Sequence, residues 1–269
     1  MLAENHEFGT PTHGQGSDGA ICIRSLTKSY ATKTGPVRAV ENISFDVEAG
    51  RCHSLVGPSG CGKSTVLKIV AGLTEYDAGE VLVLGQPARE GRRDVGLMFQ
   101  TPVLLPWRTV LKNVLLPVEI FGESVKEGRS RAERLLELVG LDGFANKYPW
   151  ELSGGMQQRA ALSRVLVMEP DLLLMDEPLA ALDEFTRERL VFEISGLQER
   201  LKKTVLYVTH DIQEALILSD RVVVMTSHPG EIAGAVDVDL PRPRVPDLIS
   251  SPEFAHHIGK VRALLRDST

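Results

Sequence analysis

Cysteine is scarce in this chain of 269 residues: Cys22, Cys52 and Cys61 are the full set, and no two form a CxxC pair. So thin and odd a set argues against a disulfide framework or a zinc ribbon and predicts a reducing compartment. Long apolar runs are also missing, none approaching the roughly 18–20 residues that a membrane-spanning helix needs. There is no excess of positive charge either. Lys and Arg number 30 against 36 Asp and Glu, for a net charge of −6, which leaves no electrostatic footprint for coating a nucleic acid. The N-terminus has no basic stretch followed by an apolar one, so no signal peptide is expected. These absences predict a soluble, cytoplasmic protein. What is present, 43% apolar and 25% charged residues, suits one large domain, or one domain with a subdomain, around a sizeable core.

Residues 1–19 lack hydrophobic periodicity and read as a disordered tail. From Ala20 come short strand-like runs (AICIRSL, VRAVENISFDVEAG, RCHSLVG) and then KSTVLKIVAG, helical by the spacing of Val66, Ile69 and Val70 and closed by Gly72. EVLVLG and RRDVGLMFQ are again strand-like. Between about residues 101 and 165 the β signal fades; Leu135, Leu138 and Val139 are expected on one helical face, and MQQRAALSRVLVM reads as another helix. Strand and helix then alternate through DLLLMDEP, a long helix at about 184–201, TVLYVTHD, IQEALILSD and RVVVMTS. Alternation of this kind predicts an α/β sheet with a helical insert. HPGEIAG reads as a turn, followed by a last strand, the stretch LPRPR and a short C-terminal helix.

Gly57-Pro58-Ser59-Gly60-Cys61-Gly62-Lys63-Ser64-Thr65 fits GxxxxGK[ST], between a strand and an amphipathic helix. The chemistry requires glycines because backbone N–H groups must wrap phosphates closely, where a Cβ would obstruct. The helix start adds a positive dipole end, Lys63 adds a mobile charge for the β- and γ-phosphates, and Ser64 offers an oxygen to Mg²⁺. The run Leu172–Met175 ends in Asp176-Glu177-Pro178, placing two acids at the carboxyl end of a strand, where α/β sheets bind ligands. Asp176 is the candidate to hold Mg²⁺ through water and Glu177 the candidate to accept a proton from attacking water. The plainer reading of the pair is an acidic strand end leading into a turn.

Leu152-Ser153-Gly154-Gly155-Met156-Gln157-Gln158-Arg159 offers a sound N-cap at Ser153 and otherwise no general structural purpose. It resembles the signature of the ABC ATPase family. The remaining family elements stand in order over about residues 20–245: Tyr30 at the adenine-stacking position, Gln100 as the Q-loop glutamine, Asp183 as the D-loop acid and His210 as the switch histidine. Residues 104–119, 148–159, 172–187 and 240–244 look like the importer ATPases for nitrate, sulfonate and taurine. Leu179-Ala180 and Trp150 depart from the Phe-Gly and His common there, and none of these handles phosphate.

The resemblance implies a P-loop NTPase core of α/β class, with an antiparallel β subdomain and an inserted helical subdomain (about 101–165), in an ATPase domain at 20–245; residues 246–269 form a short C-terminal helical extension. It implies ATP and Mg²⁺ as cofactors, with Ser64, Gln100 and Asp176 around the metal, and catalysis by Glu177, His210, Gln100 and Lys63. Two chains would sandwich two ATP molecules head to tail, each held by one phosphate loop and by Ser153, Gly154 and Gly155 of the other chain. Tyr30 and Asp183 complete the nucleotide site. Implied partners are a second, identical or paralogous ATPase subunit, transmembrane permease subunits and, indirectly, a periplasmic or extracellular solute-binding protein; nucleic acid is not among them. The implied location is the cytoplasmic face of the cell membrane, and the implied cargo a small anion or related compound. The alternative is a soluble ABC ATPase with a non-membrane target. DNA-repair members split the cassette with a coiled coil and translation factors carry two cassettes; this chain has no heptad run and one cassette.

Other residues bear weaker signals. Trp107 and Arg108 fall where family members meet the permease, unless Trp107 packs inside the helical insert. Cys61, beside Lys63, is either a small filler or a stabilised thiolate through which a thiol reagent would block ATP binding. His53, His228, His256 and His257 lack metal-ligand spacing and read as core or surface residues. Arg242 and Arg244 read as a solvated edge, and the i,i+4 charges of 184–201 as a solvated face.

Overall fold

The computed structural model describes residues 19–33, 35–227 and 229–266. His228 and residues 1–18 of the expected tail lie outside the described residues.

Two sheets organise the chain. The first is antiparallel and four-stranded, ordered β2-β1-β4-β5, from β1 (Gly19–Thr32), β2 (Gly35–Glu48), β4 (Ala78–Val83) and β5 (Gln86–Pro87). The second has six strands, ordered β10-β9-β3-β8-β7-β6, from β3 (Cys52–Val56), β6 (Val95–Met98), β7 (Leu172–Asp176), β8 (Thr204–Thr209), β9 (Arg221–Met225) and β10 (Ile232–Asp237). Its pairings are parallel except β9 with β10. β3 and β8 are buried at every residue, as strands covered on both faces must be, and their sequences CHSLV and TVLYVT are correspondingly short of charge. The N-terminal antiparallel part and the parallel core are those expected from the sequence.

Helix α1 (Lys63–Val70) follows β3 and ends at Ala71, with Gly72 at φ +73° in the left-handed turn expected of it. α2 (Val110–Val114), α3 (Leu116–Ile120), α4 (Val125–Leu138) and α5 (Gly154–Leu166) form the helical insert. α6 (Glu184–Leu201), α7 (Ile212–Leu218) and α8 (Pro252–Arg266) belong to the later half, α8 packing on β9, β10 and α7. The expected face of α4 is buried only in part, Val139 and Leu135 packing on the core and Leu138 not. Gly128, Ala132 and Leu136 point inward at i,i+4 spacing while Leu138 is 37% exposed, because α4 lies close enough to α3 that Gly128 sits against Val118.

One apolar cluster lies between the antiparallel sheet, α1 and the inner face of the core sheet, around Ile21, Ile43, Leu55, Leu67 and Leu206. The other joins the opposite face of that sheet to α5, α6, α7, α8 and the helical insert. The core sheet is therefore covered on both sides, and its carboxyl strand ends open at one edge, where the phosphate loop and Asp176-Glu177 emerge.

The stretch at 240–244 corrects its sequence reading. Arg244 is only 5% exposed and donates to the carbonyls of Leu216, Ile217, Ser219 and Val238. Arg242 bonds Glu199, Asp220 and the Leu218 carbonyl. The last carbonyls of α7 have no helical partners, and these guanidinium forks satisfy them, so the arginines are structural staples. His53 is buried with Nε2 2.5 Å from Glu48 Oε2. His257 is buried on α8, its ring edge-on to His256.

Candidate active site

The phosphate loop runs from the end of β3 into α1. Gly57 and Gly62 are needed for close approach: a Cβ on Gly57 would stand 2.8 Å from both Cys61 Sγ and the Met225 carbonyl, and one on Gly62, at φ +97°, 2.5 Å from Val40. Pro58, Ser59 and Gly60 form the loop's exposed outer face. Lys63 is 4% exposed and its Nζ donates to the Gly57 and Pro58 carbonyls at 2.8 and 2.9 Å. The loop thus curls around its own lysine, a cation positioned to meet a phosphate in the same hollow. Ser64 and Thr65 occupy the first turn of α1, whose N-terminus adds unpaired N–H groups.

Two carboxylates face this loop from the end of β7. Ser64 Oγ donates to Asp176 Oδ1 at 2.8 Å; burial pushes the Asp176 carboxyl above its usual range, against the Ser64 hydrogen bond. Glu177 has φ +43°, a left-handed conformation that costs a bulky residue about 1–3 kcal/mol. Its N–H remains in the sheet, donating to the Val208 carbonyl at 2.9 Å. Glu177 Oε1 lies 3.8 Å from Lys63 Nζ and Oε2 3.0 Å from His210 Nδ1. Loop, acid pair and histidine are therefore one constellation, drawn from three segments of the sequence.

Gln100 follows β6 and is exposed. Its carbonyl accepts from Gln158 Nε2 at 3.0 Å, and the carbonyls of Pro102 and Val103 accept from Arg164. Helix α5 thereby fixes the segment that leads from the core into the helical insert. Ser153 caps α5, its Oγ accepting from the Met156 N–H at 3.4 Å. A Cβ on Gly154 or Gly155 would meet Leu182 and Thr186, so the glycines let the start of α5 approach the start of α6, and Ser153 and Gly154 remain exposed. Asp183 caps α6 by accepting from the Thr186 N–H at 3.0 Å, which holds its carboxyl below the usual range. Tyr30, 39% exposed, lies on β1 with Lys28 Nζ 5.4 Å from its ring centroid.

Three expectations are corrected or narrowed. Cys61 is fully buried, and burial pushes its thiol up despite Lys63 Nζ at 3.8 Å; it is a filler of the loop, not a stabilised thiolate. Trp107 is 71% exposed, which removes the reading that it packs inside the insert. Arg108, by contrast, is tied to Glu119 at 2.6 Å. Gln158, Arg187 and Glu214 carry no distinct functional signal in the sequence. The first two lie inside the quoted motifs. Glu214 stands three residues after Asp211, the capping-box spacing that would send its side chain back to the helix start; instead it turns inward to Tyr207 and Thr209.

Phosphate loop before a helix, acid at the end of a strand two places along the sheet and a parallel core together define a P-loop nucleotide-binding protein. The sequence profile of the ABC transporter family matches residues 40–180. An uncharacterized ABC transporter ATP-binding protein of Methanocaldococcus jannaschii is 44% identical over 245 residues, 91% of each chain. The aliphatic sulfonates import ATP-binding protein SsuB of Bacillus cereus is 42% identical over 224 residues, 83% of this chain and 88% of that protein. Among solved structures, the dimeric ATP-binding cassette MJ0796 bound to ADP and Pi superposes with TM-score 0.71 at 34% identity, covering 82% of this chain and all of that one. CbiO1 of Clostridium perfringens, at 24% identity and TM-score 0.74 over 91% of this chain and 96% of that one, shares the fold. This chain belongs to the ABC transporter family, as an ATP-binding subunit that hydrolyses ATP in support of transport.

Proposed function

We propose that the chain is the ATP-hydrolysing subunit of a membrane importer for small anions of the sulfonate kind, and that it works as a dimer closing over ATP at the cytoplasmic face of the membrane. Likeness to SsuB over most of both chains carries the importer reading. Among the described residues no helix is long and apolar enough to cross a membrane, so the reading requires separate permease subunits. Trp107 at 71% exposure and Ile120 at 70%, both on the helical insert, are the apolar side chains offered to them. A solute-binding protein would deliver the anion from the far side.

In this reading the phosphate loop, Gly57 to Thr65, binds the ATP phosphates, Lys63 exchanges its carbonyl partners for β- and γ-phosphate oxygens, and Tyr30 stacks on adenine. The donor set fits Mg²⁺: Ser64 Oγ and Asp176 Oδ1 are hard oxygens 2.8 Å apart beside a phosphate cradle. Ser64 would hold the ion directly, Asp176 through water, and Gln100 from the Q-loop. Bound there, Mg²⁺ neutralises charge on the β- and γ-phosphates. Glu177 accepts the proton of the attacking water as its oxygen bonds the γ-phosphorus and the bond to ADP breaks, and His210 orients Glu177 and the γ-phosphate. Ser153, Gly154 and Gly155 cap the γ-phosphate of the partner's ATP from the N-terminus of α5, and Asp183 lies at the dimer seam. Hydrolysis removes the shared anion and the dimer reopens.

Purification of the tagged chain from gently solubilised membranes tests this reading. It should recover a multi-span permease, and the associated binding protein should bind alkanesulfonates in preference to sugars or amino acids. Recovery of ribosomes or DNA without a permease would refute it in favour of a soluble ABC ATPase.

A further inference from the structure

Glu177 and His210 are held together by more than their own contact. The chain leads from Glu177 directly into the loop 179–183, and Arg187, one turn into α6, gathers that loop. Arg187 Nε donates to the Leu179 carbonyl at 3.3 Å, and its second terminal nitrogen donates to the carbonyls of Ala180 and Leu182 at 3.4 and 2.8 Å. Nε also lies 3.8 Å from Oε1 of Glu214 on α7. Glu214 is 6% exposed, and its Oε2 accepts from Tyr207 at 2.9 Å and from Thr209 Oγ1 at 2.8 Å. Thr209 Oγ1 in turn accepts from the Asp211 N–H at 3.0 Å, so both neighbours of His210 are tied. His210 Nδ1 then returns to Glu177. The path is a closed ring: Glu177, loop 179–182, Arg187, Glu214, Thr209, His210, Glu177.

We propose that Arg187 and Glu214 are a positioning pair that fixes the loop after Glu177 against the loop carrying His210, and so holds those two side chains in register for hydrolysis. The proposal rests on the roles given above to Glu177 and His210. A purely structural polar contact would not need a charge at position 214. Glutamine has the same shape and its oxygen can accept from Tyr207 and Thr209, with less desolvation penalty. Burial pushes the Glu214 carboxyl up, so the ionised form is costly where it sits. What the charge adds is attraction for the Arg187 fork, which spans three carbonyls in a geometry that lysine cannot reproduce.

The test uses the purified full-length protein with Arg187→Ala, Arg187→Lys, Glu214→Gln and the double variant Arg187→Ala/Glu214→Gln. Removing a costly buried charge, Glu214→Gln should melt no lower than wild type at about pH 7.5, which keeps the fold intact. Hydrogen exchange of residues 179–183 should nevertheless quicken at least about fivefold, although the polar partners of Glu214 are Tyr207, Thr209 and Arg187. ATP turnover should fall about tenfold or more in kcat, with ATP affinity of the phosphate loop within about twofold. The double variant should lose no more than about twofold beyond Arg187→Ala, since both act through one link, and Arg187→Lys should restore little. Wild-type exchange at 179–183 in Glu214→Gln would overturn the proposal, as would losses that multiply in the double variant. The exchange measurement needs no turnover, so a wild-type protein that failed to hydrolyse ATP would refute the ATPase roles while the ring was still judged on its own readout.

Discussion

Cys61 and Lys63 stand two residues apart in the phosphate loop, and burial acts on them in different ways. Lys63 lies in a nearly sealed hollow with its Nζ donating to two loop carbonyls; a phosphate of the same geometry would take their place. Cys61 has no comparable support, and desolvation raises its pKa despite the lysine. The thiol is therefore neutral at physiological pH, and alkylation by iodoacetamide should run at least about tenfold slower in the folded protein than in urea. Peptide mass mapping reads this directly, and Cys61→Ser should keep wild-type ATP binding. The sequence could pair a thiol with a nearby cation, but it could not tell how deeply the sulfur lies, since that depends on Gly57 folding over it. The same limit hid Glu214. Motif spacing singled out Lys63, Asp176, Glu177 and His210, which the fold brings together, because the roles proposed for them follow local pattern and order, whereas an inward-turned helix acid is visible only once β8 is alongside.

Elements carry the next set of consequences. The strand and helix alternation of the core was legible because β3, β7, β8 and β9 are short apolar runs bounded by turns, and because α1 carries apolar residues at helical spacing up to Gly72. The inward turn of Gly128 and Ala132 on α4 was not, since it is set by Val118 on a different helix. Nor was the role of Arg244, which four carbonyls from two segments define. Arg244→Ala should leave those carbonyls unpaired and lower stability by about 2–4 kcal/mol, seen as an earlier urea midpoint; Arg244→Lys should recover only part of it. β3 adds a pH dependence. Burial holds His53 below its usual pKa, Glu48 opposing, so the folded state favours the neutral ring. That contribution is complete above the unfolded value of about 6.5 and is lost as pH falls from there through the folded pKa. Between about pH 7 and 5 the wild-type melting temperature should therefore drop more than that of His53→Gln; an equal drop would exclude His53 as the cause.

At the scale of the whole molecule the nucleotide site is open on one side. The phosphate loop, Asp176, Glu177 and His210 converge at the strand ends, while Ser153 and Gly154 face solvent at the start of α5, beside Leu182 and Thr186. A helix N-terminus with exposed N–H groups attracts an anion, and a second chain turned head to tail would bring one to each phosphate loop. In the proposed dimer hydrolysis would then control assembly, because the γ-phosphate would be the group that both chains share. The most direct test is the mass in solution of Glu177→Gln with ATP and Mg²⁺, by analytical ultracentrifugation. The account predicts a dimer holding two uncleaved ATP molecules, with turnover down by about 10²–10⁴-fold as expected for loss of a general base, and reversion to monomer when Ser153→Arg is added. A Glu177→Gln protein that binds ATP and remains monomeric would contradict it.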